Sequence, residues 1–294
     1  MKKSVFVAVV GRPNVGMSSL VNGLLNKEIS IVSQKPQTTR NKIAAIKTIG
    51  ESQFVFFDTP GLFKARDVLG NRMVKVVGGA INDVDCVVLV VEPKAKISPA
   101  ELNLIAKIKS AKVPAILAIN KIDLIKNKAN LIQVAKAYND QIPTGFHATV
   151  FLSVKAKQGF DSLMFEVQKH QVQGVHFFPD GMLTDKTDEF NASEIFRQKL
   201  LLNLKQEVPH NLIVEVDSFK KTKTSLNISI VIYCAKTSHK GIVIGKEGLL
   251  LKKIATESRL AMQLFFECDV NLKCWVKVKP KWKNNEKFLI KMGL

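Results

Sequence analysis

The fold and the candidate chemistry of this chain both depend on one stretch, Gly11-Arg12-Pro13-Asn14-Val15-Gly16-Met17-Ser18. It has the G-x-x-x-x-G-[K]-S frame of a phosphate-binding loop, with methionine at the lysine position. The apolar run Val5–Val10 precedes it, and apolar residues at helical spacing follow from Ser19 to Leu25, which predicts a strand, a loop and a helix. Backbone N–H groups of such a loop converge on a di- or triphosphate. A glycine-rich turn between strand and helix is the alternative.

Met17 is the departure from this frame that matters chemically. Methionine matches lysine in length, but a thioether cannot donate a hydrogen bond to phosphate oxygens. Losing one charge-assisted contact weakens binding by roughly 1.5–3 kcal/mol, on the order of tenfold to a hundredfold. Ser18 keeps the hydroxyl that would bind Mg²⁺ in such a loop.

Five short apolar runs alternate with longer amphipathic segments up to about residue 169. This alternation predicts an α/β domain with a mostly parallel sheet and flanking helices. The carboxyl ends of the strands then lie along one edge of the sheet, where ligands bind. The predicted strands are Val5–Val10, Phe54–Phe57, Val87–Val91, Ala115–Ile119 and Thr149–Leu152.

A D-x-x-G tetrapeptide, Asp58-Thr59-Pro60-Gly61, follows the second predicted strand. Its carboxylate can hold Mg²⁺, and its glycine N–H can approach a terminal phosphate because no side chain obstructs it. The same four residues are also an ordinary turn sequence. The tetrapeptide alone therefore leaves both interpretations open.

Asn120-Lys121-Ile122-Asp123 follows the fourth predicted strand and indicates a guanine site. Asp123 could accept hydrogen bonds from two N–H donors on the guanine edge that adenine does not present. Asn120 would tie the loops together, and the stem of Lys121 could lie over the base. An aspartate at the start of a helix is the alternative. After the fifth strand, Ser153-Val154-Lys155 offers a backbone N–H to guanine O6.

The second half of the chain has a different pattern. Periodicity is lost over residues 171–190, which predicts a linker between a first domain, 1–170, and a second, 191–294. The pattern of the second domain predicts a helix, two strands, two helices and a strand, which is the order of a type II KH fold. Gly245-Lys246-Glu247-Gly248 lies between the two central helices, where a G-x-x-G loop lets the main chain approach an RNA backbone. A turn connecting two helices is the alternative. Lys252 and Lys253 are further candidate RNA contacts.

Composition favours a polyanionic partner. The chain has 294 residues and a formal net charge of +19, which suits RNA or an anionic membrane surface. A lysine-rich surface without a specific partner is the alternative. No stretch of 18 apolar residues occurs, and the four cysteines form no C-x-x-C pair. These features predict a cytoplasmic protein without a membrane-spanning segment.

Together these motifs resemble the Era family of bacterial GTPases over essentially the full length of the chain. The resemblance implies a GTP-dependent switch that uses Mg²⁺ and binds the 3′ end of small-subunit ribosomal RNA during assembly of the 30S subunit. It also implies peripheral association with the inner membrane, and we expect a monomer. The matching residues are G-R-P-N-V-G-x-S-S-L at 11–20, P-Q-T-T-R at 36–40, D-T-P-G-L at 58–62, N-K-I-D at 120–123, A-S-E-I at 192–195 and I-G-K-E-G at 244–248.

The resemblance assigns further roles. Thr38 or Thr39 would contribute a switch hydroxyl to Mg²⁺, and Asn14 is a candidate ligand for a potassium ion. Leu62 occupies the position where many other GTPases carry a catalytic glutamine. Besides Met17, the sequence departs from the family at Val154, where alanine is usual.

The sequence leaves two main hypotheses for the function and a weaker third one. The first is a GTP-hydrolysing ribosome-assembly factor, slowed by Met17. The second is a non-catalytic RNA-binding assembly protein with a degenerate nucleotide domain. A membrane-surface protein is the weaker third alternative, because no amphipathic basic helix stands out. The retained Ser18, Asp58 and Asp123 favour the first, since a degenerate domain would be free to lose them.

Overall fold

The computed structural model describes residues 1–294 as two compact units. The first comprises residues 1–66 and 70–185, and the second residues 67–69 and 186–294. The division after residue 185 falls inside the segment 171–190 that the sequence predicts as a linker. None of the helices is both long and apolar enough to span a lipid bilayer.

The first unit is built on one seven-stranded sheet, with the main strand order β2-β3-β1-β4-β5-β6. The strands along this order are parallel except for β2, which runs antiparallel to β3, while β7 pairs antiparallel with the start of β1. The predicted α/β class with a mostly parallel sheet is confirmed. Its elements are β1 (Lys3–Gly11), α1 (Met17–Leu25), β2 (Ile43–Ile49), β3 (Ser52–Asp58), α2 (Val68–Asn82, which belongs to this unit from residue 70), β4 (Cys86–Val91), α3 (Pro99–Ala111), β5 (Ala115–Ile119), α4 (Ala129–Asn139), β6 (Ala148–Phe151), α5 (Phe160–Gln168) and β7 (Val172–Gln173).

Alternate residues of β1 enter two separate apolar layers. Val5, Val7 and Val9 pack with α1 and α5 on one face of the sheet. Ala8 and Val10 pack with α2, α3 and α4 on the other face. Because both faces of the sheet are covered, the sequence of β1 is a continuous apolar run and does not alternate between apolar and polar residues.

Residues 172–185, inside the predicted linker, pack along the first unit. Besides the β7 pairing, the Ser4 hydroxyl donates to the carbonyl of Val175 at 2.7 Å, and Ile46 N–H donates to the carbonyl of Leu183 at 2.9 Å. Gln53 Nε2 donates to the carbonyl of Phe178 at 2.9 Å. Phe177 also packs edge-on against Phe6, and Phe178 and Met182 pack against a small apolar cluster of the sheet. These apolar positions are irregularly spaced, so they give no helical or strand period in the sequence.

The second unit has a three-stranded sheet in the order β10-β9-β8. β8 and β9 are antiparallel, whereas β9 and β10 are parallel. The helix and strand order matches the predicted type II KH fold. Its elements are α6 (Asp188–Asn203), β8 (Leu212–Lys221), β9 (Ser225–Cys234), α7 (Thr237–Ile244), α8 (Leu249–Phe266), β10 (Asp269–Val278) and α9 (Glu286–Lys291).

The basic C-terminal tail, which begins at Lys279-Pro280-Lys281-Trp282-Lys283, is folded. Trp282 is fully buried, its indole N–H donates to the carbonyl of Asn211 at 3.2 Å, and α9 follows it. Trp275, in contrast, is 47% exposed on β10. The tail therefore contributes to the core of the second unit through Trp282 and Leu289, although its lysines remain at the surface.

Candidate functional site

The phosphate loop occupies the turn between β1 and α1. Gly16 has a φ of 103°, which favours glycine, and a Cβ there would lie 2.4 Å from Asn120 Nδ2. A Cβ on Gly61 would lie 2.6 Å from the backbone nitrogen of Pro13. Glycine at both positions thus lets the phosphate loop, the D-x-x-G turn and the N-K-x-D loop meet.

Three oxygen-bearing side chains converge beside this loop. The Ser18 hydroxyl donates to Asp58 Oδ2 at 2.7 Å and lies 3.0 Å from Thr39 Oγ1, which is 3.5 Å from the same carboxylate oxygen. Thr38 instead donates to the carbonyl of Lys35 at 2.7 Å. Of the two threonines predicted for the switch, Thr39 is therefore the one in the cluster. Hydroxyl and carboxylate oxygens are the ligands that Mg²⁺ prefers.

Asp58 is fully buried, and its Oδ1 has no hydrogen-bond partner. Burial raises the pKa of its carboxyl to about 6, although hydrogen bonds from Ser18 and Thr39 favour the ionised form and partly oppose this rise. The Ser30 hydroxyl also counteracts this pKa rise, without reaching hydrogen-bond geometry. An unsatisfied buried carboxylate oxygen fits a site that receives a cation. Sequence reasoning missed Ser30, because no motif marks it.

The remaining residues of the D-x-x-G segment are structural in this conformation. The Thr59 hydroxyl donates to the carbonyl of Val9 at 2.8 Å. Leu62 is 6% exposed and packs in the apolar layer of α2 to α4, while its N–H donates to the carbonyl of Gly11 at 2.9 Å. Pro60 is buried. Leu62 thus places no polar group where it could orient a water molecule.

The predicted guanine motifs come together through side-chain hydrogen bonds. Asn120 Nδ2 donates to the carbonyl of Val15 at 2.8 Å, and Asn120 Oδ1 accepts from Val154 N–H at 3.1 Å. The Ser153 hydroxyl donates to Asp123 Oδ1 at 2.5 Å. Asn120 therefore ties the loops together as predicted from sequence, and the Val154 N–H is engaged by Asn120 rather than directed at a base. Ile122 begins a short turn and packs against the α2 to α4 layer.

Lys121 links the base loop to the phosphate loop. Its Nζ donates to the carbonyl of Asn14 at 2.7 Å and to Glu92 Oε1 at 2.6 Å. Burial alone would raise the pKa of Glu92, but hydrogen bonds from Lys121 and Lys94 lower it to about 2. The amine is thereby held so that the stem of Lys121 spans the gap between the two loops.

Arg12 differs from its prediction as a phosphate contact. Its Nε donates to Glu101 Oε1 at 2.8 Å, and a second nitrogen lies 3.7 Å from Glu92. Glu101 is 1% exposed and also caps α3 through Ser98. Neither Arg12 nor Val15, which is 1% exposed, lines the pocket beside the loop. Both residues therefore support the loop rather than face the pocket.

Met17 is 6% exposed and belongs to the apolar layer of α1 and α5. A Cβ on Gly11 would lie 3.2 Å from its sulfur, so the side chain packs close to the loop backbone. Asn14 Nδ2 donates to the carbonyl of Gln34 at 3.0 Å, which joins the loop to residues 31–39, here called the switch segment because it carries Thr38 and Thr39. The pocket between them is lined by Pro13, Asn14, Gly16, Met17, Ser18, Ser19 and Gly61 from the loops and by Ile31, Val32, Ser33, Lys35, Gln37, Thr38 and Thr39 from the switch segment.

The G-x-x-G loop of the second unit has an unusual backbone. Gly245, Glu247 and Gly248 all have positive φ, at 73°, 52° and 77°. A Cβ on Gly245 would lie 2.6 Å from Leu250 Cβ, whereas Gly248 has open space around it. Gly248 therefore leaves its backbone accessible. Lys246, Glu247, Lys252 and Lys253 are all exposed near the start of α8.

The family models match both units. Residues 6–121 match a family described as 50S ribosome-binding GTPase, and residues 207–283 match the KH domain. The chain is 41% identical to GTPase Era of Ruminiclostridium cellulolyticum over 292 residues, covering 99% of this chain and 97% of the relative. It is 40% identical to GTPase Era of Clostridioides difficile over 295 residues, covering 100% and 99%.

Solved structures agree with these relatives. The crystal structure of Era in complex with MgGDPNP and nucleotides 1506–1542 of 16S ribosomal RNA has a TM-score of 0.95 at 31% identity, covering 100% of this chain and 99% of that one. An Aquifex aeolicus Era variant bound to GDP and AlF₄⁻ has a TM-score of 0.95 at 32% identity, covering 99% of both chains. By full-length identity and by fold, the chain belongs to the GTPase Era family.

Proposed function

We propose that this chain is a GTP-binding ribosome-assembly factor that binds the 3′ end of 16S ribosomal RNA and hydrolyses GTP slowly. The observation that carries the proposal is the convergence of Ser18, Thr39 and Asp58 beside the phosphate loop. Asn120 joins that loop to Val154, and the neighbouring Ser153 donates to Asp123. Relatives solved with MgGDPNP, with GDP and with 16S ribosomal RNA support the nucleotide, the Mg²⁺ and the RNA.

The site has the donor set that Mg²⁺ and a guanine nucleotide require. Ser18, Thr39 and Asp58 would hold the ion, which would neutralise phosphate charge when bound. Gly16 keeps side chains out of the phosphate cradle, and Ser18 and Ser19 present the start of α1 to an anion. Asp123 would accept the guanine N–H donors, and the stem of Lys121 would cover the base.

Slow hydrolysis would follow from Met17, which lines this pocket, and from Leu62, which follows the lining residue Gly61. Met17 offers no ammonium to the charge that grows on the phosphate oxygens in the transition state. Leu62 is buried and apolar, so it cannot orient the attacking water. Asn14 lies in the pocket lining and is our candidate ligand for a potassium ion that would add positive charge there.

A base-exchange experiment tests the nucleotide assignment. Fluorescent GDP and ADP are titrated into the native chain in Mg²⁺, and we expect binding of the guanine nucleotide alone. Asp123→Asn replaces a carboxylate acceptor by an amide that can donate to the C2 carbonyl of xanthine, so preference should move from GDP to xanthosine diphosphate. Equal binding of GDP and ADP, or no binding of either, would contradict the proposal.

RNA binding is tested at Gly248. Gly248→Asp places a negative side chain in open space, where it should repel a phosphate backbone without a steric clash. Gly181→Asp is the matched control, because Gly181 also has positive φ, at 83°, and open space, but lies in the first unit. We expect Gly248→Asp alone to weaken binding of an RNA with the 16S 3′ end by about tenfold or more, because repulsion between the added carboxylate and a phosphate should cost about as much as losing one charge-assisted contact. Equal affinities of the two variants would show that the G-x-x-G loop does not contact RNA.

Peripheral membrane association is a further part of the proposal. It is supported by the net charge of +19, which attracts a protein to anionic lipid. Co-sedimentation with phosphatidylglycerol vesicles should occur at low salt and be lost at high salt. Binding that is equal on neutral vesicles would contradict an electrostatic association.

A further inference from the structure

The pocket beside the phosphate loop has one charged residue in its lining, Lys35. The rest of the lining is apolar or neutral polar and includes Met17, at the position where the loop motif has its lysine. A pocket that receives a polyphosphate needs positive charge, and neither Met17 nor the neighbouring Gly16 and Ser18 supplies a cationic side chain.

Arg12 and Lys121, the other basic side chains at this loop, lie outside the pocket lining. Arg12 is ion-paired with the buried carboxylate of Glu101. Lys121 donates to Glu92 and to the carbonyl of Asn14. Neither residue lines the pocket. Lys35, on the switch segment, is thus the basic side chain placed to reach a phosphate in the pocket.

We propose that Lys35 supplies the terminal phosphates of the bound nucleotide with the positive charge that Met17 cannot supply. The inference rests on the proposed function, because it names a further residue of the same nucleotide site. A lysine ammonium on a flexible four-carbon stem can donate up to three hydrogen bonds to phosphate oxygens. Since Lys35 belongs to the same segment as Thr39, nucleotide binding would also draw this segment toward the phosphate loop.

The backbone that presents Lys35 is held by other side chains. Its N–H donates to Ser33 Oγ at 3.1 Å, and its carbonyl accepts from Thr38 Oγ1 at 2.7 Å. The hydroxyls of Ser33 and Thr38 lie 2.8 Å apart. These hydrogen bonds use the backbone of Lys35, so replacing its side chain leaves them in place.

The test is a double-mutant cycle between Lys35→Met and Met17→Lys. Dissociation constants for fluorescent GDP and GTP are measured by equilibrium titration in Mg²⁺. In the native background, Lys35→Met should weaken binding by about tenfold or more, whereas in the Met17→Lys background the loss should shrink to about twofold. Lys35→Arg keeps the charge and should stay within a few-fold of the native chain. Thermal unfolding of each variant checks that it is folded.

Lys109→Met is the matched control, since Lys109 is exposed in the last turn of α3 and outside this pocket. It removes the same charge and should leave nucleotide affinity unchanged. Native affinity retained by Lys35→Met would overturn the inference while the proposed function stands. An equal loss in both backgrounds would also overturn it, because Lys35 would then act independently of Met17. Failure of the native chain to bind any guanine nucleotide would remove both.

Discussion

Replacing Asp58 by asparagine should stabilise the first unit at neutral pH when nucleotide and Mg²⁺ are absent. Asp58 is fully buried, and desolvation raises the pKa of its carboxyl from 3.8 to about 6. The folded chain therefore keeps a proton on this group up to about pH 6, whereas the unfolded chain releases it near pH 4. Holding the ionised carboxylate in the apo site is consequently destabilising.

The size of the effect follows from the two pKa values. A difference of about 2 pKa units corresponds to roughly 3 kcal/mol. Because the folded-state pKa is raised, the associated stability is complete below about pH 4 and is lost as the pH rises through 6. Asparagine does not titrate, and its amide could donate to the unpartnered Ser30 hydroxyl oxygen. The advantage of Asp58→Asn should grow from near zero at pH 4 to roughly 3 kcal/mol at pH 7.

Urea unfolding in EDTA between pH 4 and pH 7 measures this difference. Both tryptophans, Trp275 and Trp282, lie in the second unit, so fluorescence follows that unit. A transition seen by far-UV circular dichroism but not by fluorescence then belongs to the first unit. Asp83→Asn, at an exposed position after α2, is the control and should show no comparable pH dependence.

The same substitution should act in the opposite direction once ligand is added. Asp58→Asn removes a carboxylate from the proposed Mg²⁺ site, so added Mg²⁺ should strengthen GDP binding by the native chain and not by the variant. A stability difference that stays constant across the pH range would refute the reasoning about burial. A variant less stable than the native chain at pH 7 would refute it equally.

Three further substitutions test the support of the site. Met17→Lys should raise GDP and GTP affinity by about tenfold to a hundredfold, which equilibrium titration measures. It should also lower the melting temperature of the nucleotide-free chain in thermal unfolding, because the ammonium enters a site that is 6% exposed. Gly16→Ala should abolish high-affinity nucleotide binding, since its Cβ would lie 2.4 Å from Asn120 Nδ2, and an unchanged dissociation constant would contradict the close approach. Glu101→Gln breaks the ion pair with Arg12 and should lower the free energy of unfolding by roughly 1–3 kcal/mol, measured by urea denaturation.

Elements with two covered faces or a long apolar stripe could be predicted from sequence. β4 and β5 lie within a few residues of their predicted bounds because every residue in them is buried. α8 (Leu249–Phe266) is the second of the two central helices predicted for the second domain. The convergence of the Asp58 and Asn120 motifs was also predictable, since parallel strands end along the same edge of the sheet. The order of motifs after strands thus predicts the layout of the site without any tertiary information.

What could not be predicted depends on single long-range contacts. β2 was not predicted, although its first four residues, 43–46, are buried, because it is an antiparallel edge strand paired with β3 alone in the main strand order. The choice between Thr38 and Thr39 depends on which hydroxyl reaches Ser18, and adjacent residues of the same type give no sequence signal. Arg12 and Glu101 are 89 positions apart in the chain. No local sequence pattern reveals their ion pair, so the motif alone assigned Arg12 to phosphate.

The charges around the loop explain why Met17 is compatible with a retained site. The pKa of the Asp58 carboxyl is set mainly by burial and by hydrogen bonds, without a neighbouring cationic side chain among its main causes. The buried carboxylate is therefore destabilising in the nucleotide-free chain. Mg²⁺ would relieve that destabilisation directly, and Lys35, which lines the same pocket, would act on the phosphates. In this proposal, Mg²⁺ would neutralise the Asp58 carboxylate and Lys35 would neutralise the phosphates, so together they would supply the positive charge that a loop lysine usually provides. Because that segment also carries Thr39, binding of the complete ligand would order it more strongly than either contact alone.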